Sequence, residues 1–144
     1  GWKVGTVAAP RALTAEFRKV HQFNVFTVNT PVQHGLAAYL AHPEPYSQLP
    51  AFYQTKRDLF RAGLAASQLR LLPSEGSYFQ CVDYAAVSDL GEDHFCRWLT
   101  TEIGVAAIPL SAFYADGRNQ SIARLCFAKK ETTLLQALER LQRL

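Results

Sequence analysis

Arg124 is the side chain whose place in the sequence points most directly to chemistry. It lies in the middle of an apolar segment, residues 122–128, that side-chain alternation predicts to be a β-strand. One face of this strand, which we expect to pack against helices, holds Ala123, Leu125 and Phe127. The other face holds Arg124 among small apolar groups. A guanidinium in such surroundings needs an anionic partner, and its planar fork suits a carboxylate bound through two hydrogen bonds.

The sequence leaves the partner of Arg124 open. It could be the acid group of a small ligand, which would make Arg124 a binding residue. It could equally be a structural carboxylate such as Asp83 or Glu75, or the guanidinium could simply lie exposed on an uncovered face. Alternation alone does not decide between these interpretations.

Three other positions could also contribute to a site. Lys3 could contact a phosphate as a point charge, or it could be an ordinary surface lysine. Residues 21–29 are predicted to be a loop, and the aromatic run 23–29 within it could form a binding edge or subunit contact, or pack beneath the loop. Tyr78 and Phe79 follow a turn and could either line a pocket or pack in the core.

Composition narrows the class of protein. The chain has 49% hydrophobic and 19% charged residues with a net charge of +3, which is typical of a globular protein. Its basic residues are scattered and form no stripe, so we expect no nucleic-acid binding. The three cysteines are far apart, which predicts free thiols and a reducing, cytoplasmic compartment. No metal-ligand spacing occurs, and no apolar run is long enough for a membrane span.

The first part of the chain reads as a strand followed by helices. Residues 1–8 alternate and predict a strand already under way, and the chain contains no methionine. We therefore expect a C-terminal piece of a longer protein; a trimmed small domain is the alternative. A helix is predicted after Pro10. A second helix is predicted to begin at Thr30, which forms a capping box with Gln33 and is followed by Pro31 at the first helical position. Pro43 and Pro45 mark a hinge.

The second part predicts a small sheet covered by helices. A long helix is expected from Ser47 to about Ser67, followed by strands at 69–72 and 78–82. A capping box at Asp89 and Glu92 predicts the next helix, which Gly104 would end in a left-handed conformation. Further strands are expected at 105–109 and 122–128, and then a helix capped by Thr133. This order indicates an α+β layer.

Five segments follow one another in a characteristic order: Gly1-Trp2-Lys3-Val4-Gly5, residues 26–33, residues 73–79, Gly104-Val105-Ala106-Ala107-Ile108-Pro109 and residues 124–131. Taken together they resemble the C-terminal part of class I/II aminotransferases, the fold-type I pyridoxal-phosphate enzymes, and most of all their methionine and kynurenine (glutamine-type) members. The resemblance implies an α/β fold overall. It makes residues 1–45 the tail of the large cofactor-binding domain and residues 46–144 an α+β small domain with a long linking helix.

The resemblance also implies roles for the two cations. Lys3 matches the basic residue that contacts the phosphate of pyridoxal 5'-phosphate in this family. Most members have arginine there, and lysine cannot bind the phosphate through two parallel hydrogen bonds. Arg124 matches the arginine that binds the α-carboxylate of the substrate.

Four aromatic and polar positions complete the implied site. Phe26 and Thr27 match loop residues that reach across a homodimer into the neighbouring active site. Thr27 stands where the kynurenine branch often has histidine. Tyr78 and Phe79 would lie near the substrate side chain.

The implied activity is transamination between a neutral, sulfur-containing or aromatic amino acid and a 2-oxo acid, with a β-lyase side activity as an option. The Schiff-base lysine of the family would precede residue 1, so this chain would contain no catalytic residue and would be inactive alone. The resemblance aside, a non-enzymatic α+β module that binds an amino acid through Arg124, or an interaction domain in which Arg124 forms an ion pair, remains an alternative.

Overall fold

A computed structural model describes residues 2–144. The chain forms two compact units, a first that ends at Gln48 and a second, Leu49–Leu144. Whether these units are the large-domain tail and the small domain of an enzyme stays a prediction. Within residues 2–144, no helix combines the length and the apolar character that a membrane crossing requires.

The first unit is helical. Its elements are α1 (Arg11–Asn24), α2 (Thr30–Leu40) and α3 (Glu44–Ser47). The predicted opening strand is wrong for the described part of it, because residues 2–10 form neither strand nor helix. A strand needs a neighbour to accept its ladder hydrogen bonds, and the described residues of this unit contain no other strand.

The start of α2 was predicted correctly to within one residue. The cap is Asn29 rather than Thr30, and its side chain accepts a hydrogen bond from the Val32 N–H at 3.2 Å. Gln33 reaches back, as a capping box requires, but its Nε2 donates to the Val28 carbonyl at 2.8 Å. Because α1 continues to Asn24, the loop predicted from residue 21 begins four residues later than expected.

The second unit is a four-stranded antiparallel sheet with helices against one face. The elements are α4 (Leu49–Leu64), β1 (Arg70–Leu71), β2 (Phe79–Asp83), α5 (Glu92–Trp98), β3 (Ile108–Pro109), β4 (Ile122–Cys126) and α6 (Glu131–Leu141). The strand order is β1-β2-β4-β3, so β4 lies between β2 and β3. A π-helical turn, Leu99–Ile103, continues α5, and a short 3-10 helix, Leu110–Phe113, follows β3.

The core lies between the sheet and the helices, as alternation predicted. Ala123, Leu125 and Phe127 are all buried on the helix side of the sheet. Tyr84 and Phe95 stack with their ring centroids 3.7 Å apart, and the Tyr84 hydroxyl donates to the Leu90 carbonyl at 2.9 Å. Burial raises the pKa of Tyr84 to about 12, so the phenol stays neutral at physiological pH.

The predicted N-caps of α5 and α6 are wrong, and the predicted helix end at Gly104 is confirmed. The N-cap of α5 is Gly91 and that of α6 is Lys130, and neither uses a side-chain hydrogen bond. Gly104 does end the π-helical turn with a φ of 76°, a left-handed conformation that favours glycine. Its carbonyl accepts a hydrogen bond from Arg140 at 3.0 Å.

Substitutions at two neighbouring leucines of α6 test whether the core lies between the helices and the sheet. Leu134 is 2% exposed and Leu135 is 50% exposed. Leu134→Ala is expected to lower the free energy of unfolding by about 2–5 kcal/mol through lost burial and a residual cavity. Leu135→Ala, the matched control, should cost less than about 1 kcal/mol. Urea denaturation followed by the fluorescence of Trp98, which contacts Phe95, measures both free energies of unfolding. Equal losses of stability in the two variants would contradict the burial of Leu134 in the core.

Candidate functional site

The centre of the site is set by the register of β4. Arg124 lies opposite Cys81 on β2 and opposite Ile108 on β3, so neighbouring strands flank it on both sides. Its side chain projects from the face opposite the buried Ala123 and Leu125. The core therefore fixes the backbone from which the guanidinium extends.

Two aromatic rings cover the guanidinium. Arg124 Cζ lies 3.9 Å from the ring centroid of Phe79 and 4.6 Å from that of Phe113. Such contacts stabilise the cation through the ring quadrupoles. The guanidinium N–H groups remain the hydrogen-bond donors of this position.

The structural ion pair that the sequence left open is not formed. Asp83 pairs instead with Arg70, and across residues 2–144 no carboxylate lies within ion-pair distance of Arg124. The Arg124 Nε atom is buried and has no hydrogen-bond partner within the described chain. A buried donor without an acceptor is costly, which makes Arg124 a candidate binding residue.

Phe79 contacts Arg124, and Tyr78 contacts Phe79; that both lie near a substrate side chain stays a prediction. Their ring centroids are 4.6 Å apart, and Tyr53 of α4 lies 5.8 Å from Tyr78. Tyr78 is 42% exposed, so these rings form an accessible apolar surface next to the cation. The structure thus brings together three of the predicted site residues, Arg124, Tyr78 and Phe79.

Sequence reasoning missed Phe113. It follows Pro109 by four residues, at the end of the 3-10 helix that leaves β3. The turn after Pro109 could be predicted locally. Its direction over β4 depends on the pairing of β3 with β4, which no local pattern reveals.

A buried carboxylate, Glu92, joins the segments around Arg124. Glu92 is 2% exposed and accepts backbone N–H bonds from Gln120 at 2.9 Å, Ile122 at 3.0 Å and Ser111. Burial works to raise its pKa, but these backbone hydrogen bonds outweigh it and hold the pKa below the usual range. Glu92 is therefore ionised at neutral pH. The prediction that it forms a capping box with Asp89 is wrong.

A second buried polar group, Gln80, fixes β2. Its Nε2 donates to the carbonyls of Leu72 and Cys81 at 2.8 and 2.6 Å. Its Oε1 accepts from Arg61 Nη1 of α4 at 2.6 Å. Since Gln80 follows Phe79 directly, this network also holds the ring that stacks on Arg124. Burial raises the pKa of the nearby Cys81 thiol, and the charge of Arg124 only partly offsets this.

The other predicted residues lie in the first unit. Lys3 is exposed and lines a cleft of about 680 Å³ with residues of α2. Phe26 is 80% exposed and has a φ of 67°, and Thr27 is exposed beside it on the loop that precedes α2. The cleft is otherwise lined by Trp2, Val4, Pro31, Val32, Gly35, Leu36 and Tyr39.

Arg124 should contribute little to folding. In Arg124→Met, loss of cation–π energy (~0.5–2 kcal/mol) opposes relief of the unsatisfied Nε (~1–3 kcal/mol). We expect the free energy of unfolding to change by less than about 1 kcal/mol. Arg61→Met is the control and should cost about 1–3 kcal/mol because it leaves the buried Gln80 without its donor. Urea denaturation measures both, and a larger loss for Arg124→Met would mean that the fold itself requires this guanidinium.

Comparison with known proteins gives a consistent result. Residues 1–141 match the family model described as aminotransferase class I and II. The chain is 57% identical over 145 residues to a methionine aminotransferase from Escherichia coli (strain K12) and 32% identical over 166 residues to a kynurenine–oxoglutarate transaminase from Dictyostelium discoideum. Both alignments cover 100% of this chain and 38% of the relative.

Solved structures agree. The crystal structure of an Escherichia coli protein, reported to have a methionine aminotransferase function, superposes with a TM-score of 0.91 and 57% identity. The match covers 99% of this chain and 38% of that protein's chain. The N-succinyldiaminopimelate aminotransferase of Mycobacterium tuberculosis matches the same shares with a TM-score of 0.84 and 32% identity. The expected α/β class is confirmed, and the chain spans about 38% of the length of these relatives. It belongs to the class I and II aminotransferase family.

Proposed function

We propose that this chain is the substrate-binding portion of a pyridoxal-phosphate-dependent aminotransferase. The observation that carries the proposal is Arg124, a cation in contact with two aromatic rings and with a buried N–H that has no acceptor in the described chain. A substrate α-carboxylate would supply that acceptor. Family membership and the aminotransferases among its relatives support the reaction class.

The guanidinium of Arg124 suits a carboxylate ligand. Contact with Phe79 and Phe113 restricts its rotation, so less conformational entropy is lost on binding. The planar fork can then donate two parallel hydrogen bonds to the two oxygens of a carboxylate. Holding the carboxylate fixes the orientation of the adjacent Cα–H bond, which is what Arg124 contributes to the reaction.

The rings of Tyr53, Tyr78 and Phe79 favour an apolar substrate side chain. They form a partly exposed aromatic surface next to the carboxylate site, and no acidic group of the described chain pairs with Arg124 there. Apolar surface with one fixed polar anchor is the usual composition of a small-molecule site. We therefore propose a neutral, sulfur-containing or aromatic amino acid as donor and a 2-oxo acid as acceptor.

Lys3 is the proposed ligand of the cofactor phosphate. Its exposed amine lies at a cleft whose lining residues include no carboxylate, so the positive charge fits a phosphate. When bound, pyridoxal phosphate supplies a ring that withdraws electrons from the substrate Cα. In this proposal the chain contributes binding and orientation rather than proton transfer.

We further propose a homodimer in which Phe26 and Thr27 contribute to the partner's site. The exposure of Phe26, 80%, supports a role at a contact between subunits, because an aromatic ring of that size gains from burial. The free thiols Cys81, Cys96 and Cys126 suit the reducing, cytoplasmic compartment that we expect.

Arg124→Lys tests the carboxylate site in the full-length enzyme. Lysine keeps the charge but loses the fork, so kcat/KM for methionine should fall by roughly 10–150-fold, the equivalent of one charge-assisted hydrogen bond. Arg70→Lys is the control, because Arg70 forms an exposed pair with Asp83 on the same sheet. Coupled measurement of 2-oxo acid formation gives the result. An unchanged kcat/KM would contradict the proposed role of Arg124.

Lys3→Met tests the cofactor site. We expect the dissociation constant for pyridoxal phosphate to rise about tenfold through loss of one charged contact. Lys19→Met, which removes an exposed lysine paired with Glu16 in the same unit, should leave it unchanged. Absorbance titration of the apoenzyme with cofactor measures both constants. Equal affinity in Lys3→Met and the unmodified enzyme would exclude Lys3 as the phosphate ligand.

A further inference from the structure

Glu92 is a buried charge that the proposed reaction does not use. Its three backbone donors all belong to segments that lead to the carboxylate site. Ser111 precedes Phe113 by two residues in the 3-10 helix, and Ile122 precedes Arg124 by two residues in β4. Gln120, the remaining donor, lies in the turn that enters β4.

One carboxylate thus links the arginine to the ring that covers it. One oxygen of Glu92 accepts from Gln120 and Ile122, and the other accepts from Ser111. Because Ile122 and Arg124 are two residues apart in a strand, they lie on the same face. Displacing Glu92 would release Phe113 and the first residue of β4 together, while the core residues Ala123 and Leu125 stayed anchored on the other face.

An ionised acid is required at this position. All three partners are donors, so an acceptor with no hydrogen of its own satisfies them best. A glutamine could accept from two of them with its oxygen, but its amide NH₂ would then face the third N–H. No cation lies within ion-pair distance of Glu92 among residues 2–144, which leaves this backbone bonding as its role.

We propose that Glu92 is a positioning residue for substrate binding, which sets Phe113 and Arg124 relative to each other so that the guanidinium edge is presented to the substrate carboxylate. This inference rests on the proposed function and extends it to a residue outside the site. It assigns Glu92 an effect on substrate affinity that is separate from its effect on stability.

Glu92→Gln in the full-length holoenzyme is the first test. The KM for methionine is expected to rise about tenfold because the guanidinium is no longer held in the binding orientation, while kcat changes less than about threefold and cofactor affinity stays the same. Asp93→Asn is the matched control, because Asp93 is the next residue and forms only an exposed pair with Arg97. Equal losses of kcat and cofactor affinity would indicate general damage and overturn the proposal.

Phe113→Ala provides a second test that does not depend on a buried substitution. Phe113 is 57% exposed, so its truncation should leave the fold intact. We expect the KM of Phe113→Ala for methionine to rise several-fold. The double variant with Glu92→Gln should have a KM no higher than that of the weaker-binding single variant, because both substitutions act through the same ring. An unchanged KM in Phe113→Ala, or multiplied effects in the double variant, would overturn the proposal.

Separate results would contradict the transaminase activity and the positioning role of Glu92. If the unmodified full-length protein has no transaminase activity, the proposed function is wrong. If it is active and Glu92→Gln keeps the KM of the unmodified enzyme, only the positioning role of Glu92 is wrong.

Discussion

The second unit depends on the opposite orientation of neighbouring side chains in β4. Ala123 and Leu125 are buried against the helices, while Arg124 between them extends from the other face. A shift of one residue in register would place the guanidinium in the core and two apolar groups at the site, at a large cost in free energy. The packing that stabilises the unit therefore also fixes where the cation lies.

Two buried polar groups make this arrangement rigid. Gln80 joins β2 to α4 through Arg61, and Glu92 joins α5 to the segments before and within β4. Each is desolvated, and each has its hydrogen-bonding capacity satisfied by geometry that only the folded chain provides. Each adjoins one of the two rings that contact Arg124. Gln80 follows Phe79 in β2, and Glu92 accepts a hydrogen bond from Ser111, two residues before Phe113. Preorganised binding sites need this kind of support from surrounding residues.

Local patterns in the sequence predicted what local physics decides. Alternation identified Arg124 and its buried neighbours, and the left-handed end at Gly104 and the start of α2 were found to within a residue. Contacts distant in sequence were missed: the partners of Glu92 lie 19 to 30 residues away, so a capping box with Asp89 was the nearer and wrong choice. Phe113 was missed for the same reason, and the opening strand was predicted although its described unit offers no strand to pair with.

Lys3 and Arg124, the two side chains proposed to bind anions, differ in a way that matches the phosphate and the carboxylate proposed for them. A phosphate that stays bound through many turnovers can be held by several groups, of which a lysine supplies one point charge without strict direction. A substrate carboxylate must be bound and released in each cycle and must also be oriented, so a single planar fork with fixed direction is better suited. Lys3, with its exposed side chain, fits the first description, and Arg124, held against aromatic rings and without an ion pair in the described chain, fits the second. The supporting network is accordingly concentrated around the arginine, where orientation rather than charge alone determines the outcome.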